Sequence, residues 1–204
     1  GGHIVVVDIN EAKPESYADE LAERHNRKML GKEVDVTSKK SLVALKEDTL
    51  SAFGTVDGLV NVHQNKTQNF FEVFEKYSEE NWDAVVETNL KGTFLTCQVF
   101  GSWMATNGGG SIINILSTYS LVAPNQNLYK GTSLGCPAAY SASKGGIDAL
   151  SKYLASYWAN KKVRVNTITP HGVWNNHEGQ FEENFSRFSP MERMSYNHEV
   201  AGAL

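Results

Sequence analysis

Ser111-Ile112-Ile113-Asn114-Ile115-Leu116, closed by Ser117, is a short run dense in β-branched and apolar residues without clear polar alternation. A run of this length and composition suits a strand buried on both faces. Four more have the same character, at 3–8, 28–34, 56–61 and 163–168. Between them lie longer stretches with helical spacing. Residues 14–26 carry Tyr17, Leu21 and Ala22 on one side and charged groups on the other, and 38–53 sets Leu42, Val43, Leu45, Leu50 and Phe53 among lysines and acids. Residues 79–105 and 138–159 are the long ones. Strands alternating with helices at this spacing predict an α/β fold, a doubly wound parallel sheet flanked by helices.

Two segments break the rhythm. Residues 117–137 form a polar loop rich in Ser, Asn, Gly, Pro and Tyr. Loops longer than ~12–15 residues within a compact domain are uncommon and are usually functional. The tail from His171 onward is polar, with weak helical signals at 180–188 and 196–204.

The chain of 204 residues is sized for one domain and is 41% hydrophobic and 21% charged, which excludes disordered and fibrous classes. Its net charge of −4 argues against a nucleic-acid partner. No apolar run approaches the ~18–20 residues of a membrane span, and the opening Gly1–Asp8 stretch does not read as a signal peptide. Cys97 and Cys136 read as free thiols in a reducing cytoplasm. His171, His177 and His198 have no metal-ligand spacing, so no metal is expected.

In doubly wound sheets ligands bind beyond the carboxyl ends of the strands. Those positions hold Asp8-Ile9, Asp35-Val36, Asn61-Val62-His63-Gln64, Ser117 and Pro170-His171-Gly172-Val173. A carboxylate at the Asp8 position accepts from adenosine ribose hydroxyls and repels a 2′-phosphate; Ile9 and Asn10 bring no cation to offset one. Asp8 serves equally well as a cap for the next turn. The strongest signal is Tyr140-Ser141-Ala142-Ser143-Lys144, whose spacing puts Tyr140 and Lys144 on one helical face. A phenol is a poor base near neutrality, and an ammonium beside it favours the phenolate, which can then exchange a proton with a substrate hydroxyl or carbonyl.

The order 89–94 (Asn-Leu-Lys-Gly-Thr-Phe), 110–117 (Gly-Ser-Ile-Ile-Asn-Ile-Leu-Ser), 140–144 and 164–170 (Arg-Val-Asn-Thr-Ile-Thr-Pro) resembles the short-chain dehydrogenase/reductase family over nearly the whole chain. The resemblance implies a single Rossmann-like domain over 1–204, incomplete at both ends. It also implies a catalytic set in which Ser117 holds the substrate oxygen and Tyr140 is the acid/base. Lys144 would bind nicotinamide ribose and lower the tyrosine pKa, while Asn89 would kink its helix and anchor a relay water. Asp8, Ile9, Asp35, Val36, Asn61, Val62, Tyr140, Lys144, Pro170, Gly172 and Val173 would line an NAD site. The helices over 79–105 and 138–159 would make a homodimer or homotetramer, with Phe100, Trp103, Tyr153, Leu154 and Tyr157 as contact candidates. The 23 residues separating Ser117 from Tyr140 exceed the usual family interval. With Tyr119, Asn125 and Tyr129, this loop is similar to those of bacterial sugar-modification oxidoreductases acting in flagellin glycosylation and nonulosonate synthesis, and it is expected to border the substrate pocket.

Three features depart from the family. Asn61-Val62-His63-Gln64 stands where Asn-Asn-Ala-Gly is usual, and Pro170-His171-Gly172 replaces Pro-Gly-Gly. The family's first strand, with its Gly-rich phosphate turn, and its closing strand are not in this sequence. That strand lies centrally in the family, between the runs at 3–8 and 56–61. Either further residues fill the gap or the two strands close into direct pairing, and in both cases these 204 residues alone are expected to bind NAD poorly. The leading function is NAD-dependent interconversion of a sugar-like secondary alcohol and a ketone. The alternative is a truncated or degenerate homologue without activity that acts as an oligomerisation partner. An acyl-thioester reductase would need a basic surface for a carrier protein, and the acidic balance counts against it.

Overall fold

The computed structural model describes residues 2–9, 12–177 and 179–204. Two parallel sheets carry the fold. In the first, β1 (Ile4–Asp8) pairs with β2 (Met29–Glu33), Ile4 opposite Met29 and Asp8 opposite Glu33. In the second, β3 (Gly58–Asn61), β4 (Gly110–Ile115) and β5 (Val163–Ile168) lie in that order, with Gly58 opposite Ser111 and Gly110 opposite Val163. Every strand falls within two residues of the run that predicted it, because β-branched density marks strand cores more sharply than their ends.

The helices follow local chemistry. α1 (Pro14–His25) opens on a proline, whose missing N–H costs nothing in a first turn. α2 (Lys39–Phe53) starts at Ser38, whose hydroxyl accepts from the Ser41 amide at 3.3 Å, and ends at Gly54 with φ 75°. The stretch read as one helix over 79–105 is a continuous rod of three α segments, α3 (Glu79–Val86), α4 (Gly92–Thr96) and α5 (Ser102–Thr106), joined by π turns at Glu87–Lys91 and Cys97–Gly101. α6 (Ala138–Tyr157) is unbroken; α7 (Gly179–Phe188) and the short α8 (Asn197–Ala201) build the tail.

The main core gathers Leu42 and Leu45 of α2, Leu95, Phe100 and Met104 of the rod, Ile112 of β4, Leu154 and Trp158 at the end of α6, and Val163 and Val165 of β5. The expectation of strands buried on both faces is corrected here. Along β5, Val163 and Val165 are buried whereas Arg164 and Asn166 are exposed, and along β4 only Ile112 and Asn114 are fully buried. The rod and α6 cover one face of this sheet, so the other keeps half-exposed isoleucines. Phe100 and Leu154, read as intersubunit candidates, are also corrected, since both are core residues.

Among the described residues β1 and β3 do not pair, so the closure considered for them is not found. The two sheets are instead held by side chains: Val34 after β2 and Val56 before β3 sit in the same core as α2 and the rod. The backbone edges of β1 and β3 carry no ladder to each other, and Ile4 and Val60 remain 47% and 45% exposed.

Gly31 of β2 is where α1 comes closest to the first sheet, because a Cβ there would overlap the backbone of Pro14 and Glu15. Gly31→Ala is therefore expected to destabilise the fold by roughly 1–3 kcal/mol through overpacking. Urea unfolding of the two proteins measures it; an unchanged midpoint would show that α1 is not seated on β2.

Candidate active site

α6 presents its polar side chains inward at its start. Ser143 is fully buried, Lys144 is 3% exposed, and Tyr140 lies one turn before Lys144. An ammonium removed from water needs compensation. Lys144 Nζ donates to the Ile115 carbonyl at the end of β4, 2.7 Å away, and lies 5.8 Å from the Tyr140 ring centroid. Burial still lowers the Lys144 pKa to about 8.

Ser117, just beyond β4, is buried, and its hydroxyl lies close enough to the Tyr140 phenol to act on its ionisation. The same oxygen accepts from the Tyr119 amide at 3.3 Å, which opens the short 3-10 turn Thr118–Ser120. Phe70 meets the Tyr140 ring edge to face at 6.2 Å. Burial raises the Tyr140 pKa, the Ser117 hydroxyl pulls it back, and the neighbouring Cys136 raises it further. The expected lowering of the phenol by Lys144 is thus not the dominant effect in the protein alone, where desolvation wins. Supplying a stronger positive field beside the phenol is what an oxidised nicotinamide would do.

Asn89 sits in the middle of the first π turn and is fully buried. Its Oδ1 accepts from the Asn65 amide at 2.9 Å and its Nδ2 donates to Ser143 Oγ at 3.2 Å, while Ser143 Oγ donates to the Tyr140 carbonyl at 2.8 Å. Asn89 therefore ties the rod to the first turn of α6. The Thr93 hydroxyl donates to the Asn89 carbonyl at 2.7 Å and lies 3.2 Å from His63 Nε2.

His63 answers one departure: it neither projects outward nor lies free in the cleft, but packs on the rod where Gly92 lacks a Cβ. A Cβ at Gly92 would come 3.0 Å from His63 Nε2 and 2.9 Å from Val36 Cγ2. His171 answers the other. Its Nδ1 is 2.7 Å from the Thr118 hydroxyl and its ring packs on Phe185 at 4.8 Å, a neighbour reached because Gly172 has no side chain to block Phe185.

The remaining cofactor candidates divide. Asp8 is exposed at the end of β1, with Oδ1 accepting from the Ile9 amide at 2.8 Å, which leaves lone pairs for a ribose diol. Asn10 lies outside the described residues. Asp35 accepts from the Thr37 amide and hydroxyl, both at 2.8 Å, and caps its own turn. The Asn61 side chain turns into the core, donating to Asn114 Oδ1 at 2.8 Å, and Asn114 donates to Ser151 Oγ at 2.8 Å; Val62 is exposed. The Pro170 carbonyl accepts from the Thr118 amide, Gly172 O accepts from the Ser195 amide, and Val173 bridges to Ser195. A nicotinamide cofactor would be held at two ends by these donors and acceptors, a ribose diol at Asp8 and the nicotinamide ribose at Lys144. Sequence reasoning missed Phe70, the Asn65–Asn89–Ser143 chain and the His63–Thr93 contact, for none of these has a local signal. Among the described residues no cluster of His, Cys, Asp or Glu could hold a metal ion, and no helix is long and apolar enough to cross a membrane.

A family model described as enoyl-(acyl carrier protein) reductase matches residues 1–204. D-threitol dehydrogenase of Mycolicibacterium smegmatis is 33% identical over 211 residues, covering 100% of this chain and 75% of that protein. An NAD-dependent glycerol dehydrogenase of Listeria innocua is 30% identical, with 98% of this chain and 74% of that one covered. Post-translational flagellin modification protein A of Campylobacter coli is 27% identical, with 100% and 80% covered. The crystal structure of a gluconate 5-dehydrogenase from Burkholderia cenocepacia, in complex with NADP and tartrate, superposes with a TM-score of 0.85 at 23% identity, covering 98% of this chain and 75% of that one. At that identity it shows the fold.

The His63 environment has a pH signature. Burial, reinforced by the Lys144 charge and opposed by a hydrogen bond to the Asn89 backbone, lowers its pKa from 6.5 to about 4. The unfolded chain takes up this proton near pH 6.5 and the fold refuses it until about 4, so stability falls as pH drops through that window. The loss is about 3 kcal/mol from this group. In urea titrations between pH 7 and 4, His63→Asn is expected to show a shallower acid slope than wild type. Equal slopes would show that the imidazole is solvated in the fold.

Proposed function

The chain belongs to the short-chain dehydrogenase/reductase family and is an oxidoreductase of that kind; we propose that it interconverts a polyol or sugar-like secondary alcohol and its ketone with NAD at Ser117, Tyr140, Lys144 and Asn89. The observation that carries the proposal is the Tyr140 phenol set beside the Ser117 hydroxyl, with the Lys144 ammonium one helical turn on and 5.8 Å from its ring centroid. The polyol assignment draws on the threitol and glycerol dehydrogenases among the relatives.

In the oxidising direction Ser117 donates a hydrogen bond to the substrate oxygen and the deprotonated Tyr140 takes the hydroxyl proton as the carbinol C–H bond breaks. The nicotinamide, when bound, accepts the hydride. Lys144 supplies positive charge beneath the phenol and a donor for the nicotinamide ribose. Asn89 fixes the first turn of α6 through Ser143, so that the phenol and the ammonium keep their spacing. The Asp8 carboxylate disfavours a 2′-phosphate and so favours NAD over NADP.

Tyr140→Phe keeps the ring against Phe70 and removes only the oxygen. Its kcat for D-threitol oxidation is expected to fall by about 10²–10⁴ with NAD affinity unchanged, and wild type should show a higher kcat/KM with NAD than with NADP. Wild-type turnover by Tyr140→Phe would sink the acid/base role, and equal use of the two cofactors would sink the Asp8 assignment.

We also propose a homodimer or homotetramer formed through the outer faces of α6 and the rod. Tyr153 and Tyr157 of α6 are 61% and 58% exposed and stack on each other at 5.6 Å. Sedimentation velocity at micromolar concentration should give a species larger than a monomer, and Tyr153→Glu should shift it to monomer. A monomer in wild type contradicts this.

A further inference from the structure

The loop after Ser117 and α7 are joined by a side chain that the chemistry above does not use. Asn184, in the middle of α7 and only 9% exposed, donates from Nδ2 to the carbonyls of Leu128 and Lys130, at 3.1 and 2.9 Å. Its Oδ1 accepts from Gln180 Nε2 at 3.1 Å. The residue between those two carbonyls is Tyr129. Its backbone is thus clamped on both sides, its ring stacks on Phe181 of α7 at 5.7 Å, and its hydroxyl is 2.7 Å from that of Tyr119. Leu128, Phe181, Phe185 and Met194 close a small core beneath this clamp. Both phenols lie close enough to Tyr140 to interact with its charge.

The hydrogen bond between the two hydroxyls uses one of their two protons, which leaves a single donor and spare lone pairs for a third group. Burial raises the pKa of both tyrosines, so the pair stays neutral near pH 7. A neutral edge offering one donor and several acceptors matches alcohol hydroxyls, which both donate and accept, better than it matches a carboxylate, which only accepts. Packing alone does not account for Asn184, because a leucine would fill the same space and leave the buried Leu128 carbonyl and the part-buried Lys130 carbonyl without this donor.

We propose that Asn184 is a positioning residue for substrate selection: by clamping the carbonyls on either side of Tyr129 it sets the Tyr119–Tyr129 pair as the wall that hydrogen-bonds the further hydroxyls of a polyol held at Tyr140. The proposal rests on the polyol reading above. Asn184→Asp keeps size and removes both N–H donors. It is expected to raise KM for D-threitol about tenfold or more, the equivalent of one to two hydrogen bonds, while kcat and KM for the cofactor stay near wild type. Tyr129→Phe, which keeps the stacking on Phe181, should raise the same KM without lowering the melting temperature. A lower melting temperature for Asn184→Asp with KM unchanged, or a cofactor KM that rises equally, would overturn the proposal. So would a Tyr129→Phe protein with wild-type KM. If wild type oxidises no polyol, the functional reading fails and the clamp is judged by ultraviolet titration of the tyrosines. Asn184→Asp should then bring one more tyrosine into the ordinary ionisation range, and an unchanged titration would overturn the clamp.

Discussion

A lysine whose ammonium is almost wholly withdrawn from water has few ways to be tolerated, and the way Lys144 is tolerated organises the site. Its donor meets the carbonyl at the end of β4, which requires α6 to cross that strand end closely and in one rotation. That rotation carries Ser143 into the interior, leaves Tyr140 part-buried, and sets its phenol beside Ser117, the second residue after β4. Asn89 reinforces the same placement from the opposite helix, and the π turn around it is the local deformation that lets its side chain reach both Asn65 and Ser143. Buried polar groups of this kind are stable only when all are satisfied, which makes the arrangement effectively all or none.

A second polar seam runs beneath the first. Asn61, Asn114 and Ser151 link β3, β4 and α6 inside the main core, next to a Cys97 thiol that burial pushes up to about 12. Its members are spaced by more than thirty residues in sequence and fix the register of α6 on the sheet. The side of the site away from this seam is built differently. There the loop and the tail form a small apolar core of their own, tied to the sheet end by Thr118, His171 and the Ser195 contacts. The two sides of the site are thus packed separately, one on the main core and one on a small core of its own.

Much of this was legible from residue order. The five strands and four main helices follow from β-branched density and helical spacing, which are local properties. The Tyr140–Lys144 pair is also local, since four residues on a helix is one turn. The same reasoning treated 79–105 as one uniform helix and could not see its two π turns, because the extra residue in each is stabilised by what the side chains reach, not by propensity. It read Asn125 as a pocket residue, and what only the structure adds is that Asn125 Oδ1 caps its own turn by accepting from the Asn127 amide at 3.1 Å. The tail showed weak helical spacing in Phe181, Phe185 and Phe188 but gave no reason to single out Asn184.

What the sequence determined by itself is the class of fold, the order of its elements and the placing of Tyr140 and Lys144 one helical turn apart, for these depend on periodicity and local spacing. Only the tertiary structure decided which faces of the strands are wet, where Asn61 and His63 point, and that Asn184 reaches the loop. Each of those outcomes depends on contacts between residues distant in sequence. Burial and hydrogen-bond partnership are properties of where elements meet, and helix–sheet docking sets that meeting through side-chain volume and polar satisfaction, which no single segment encodes.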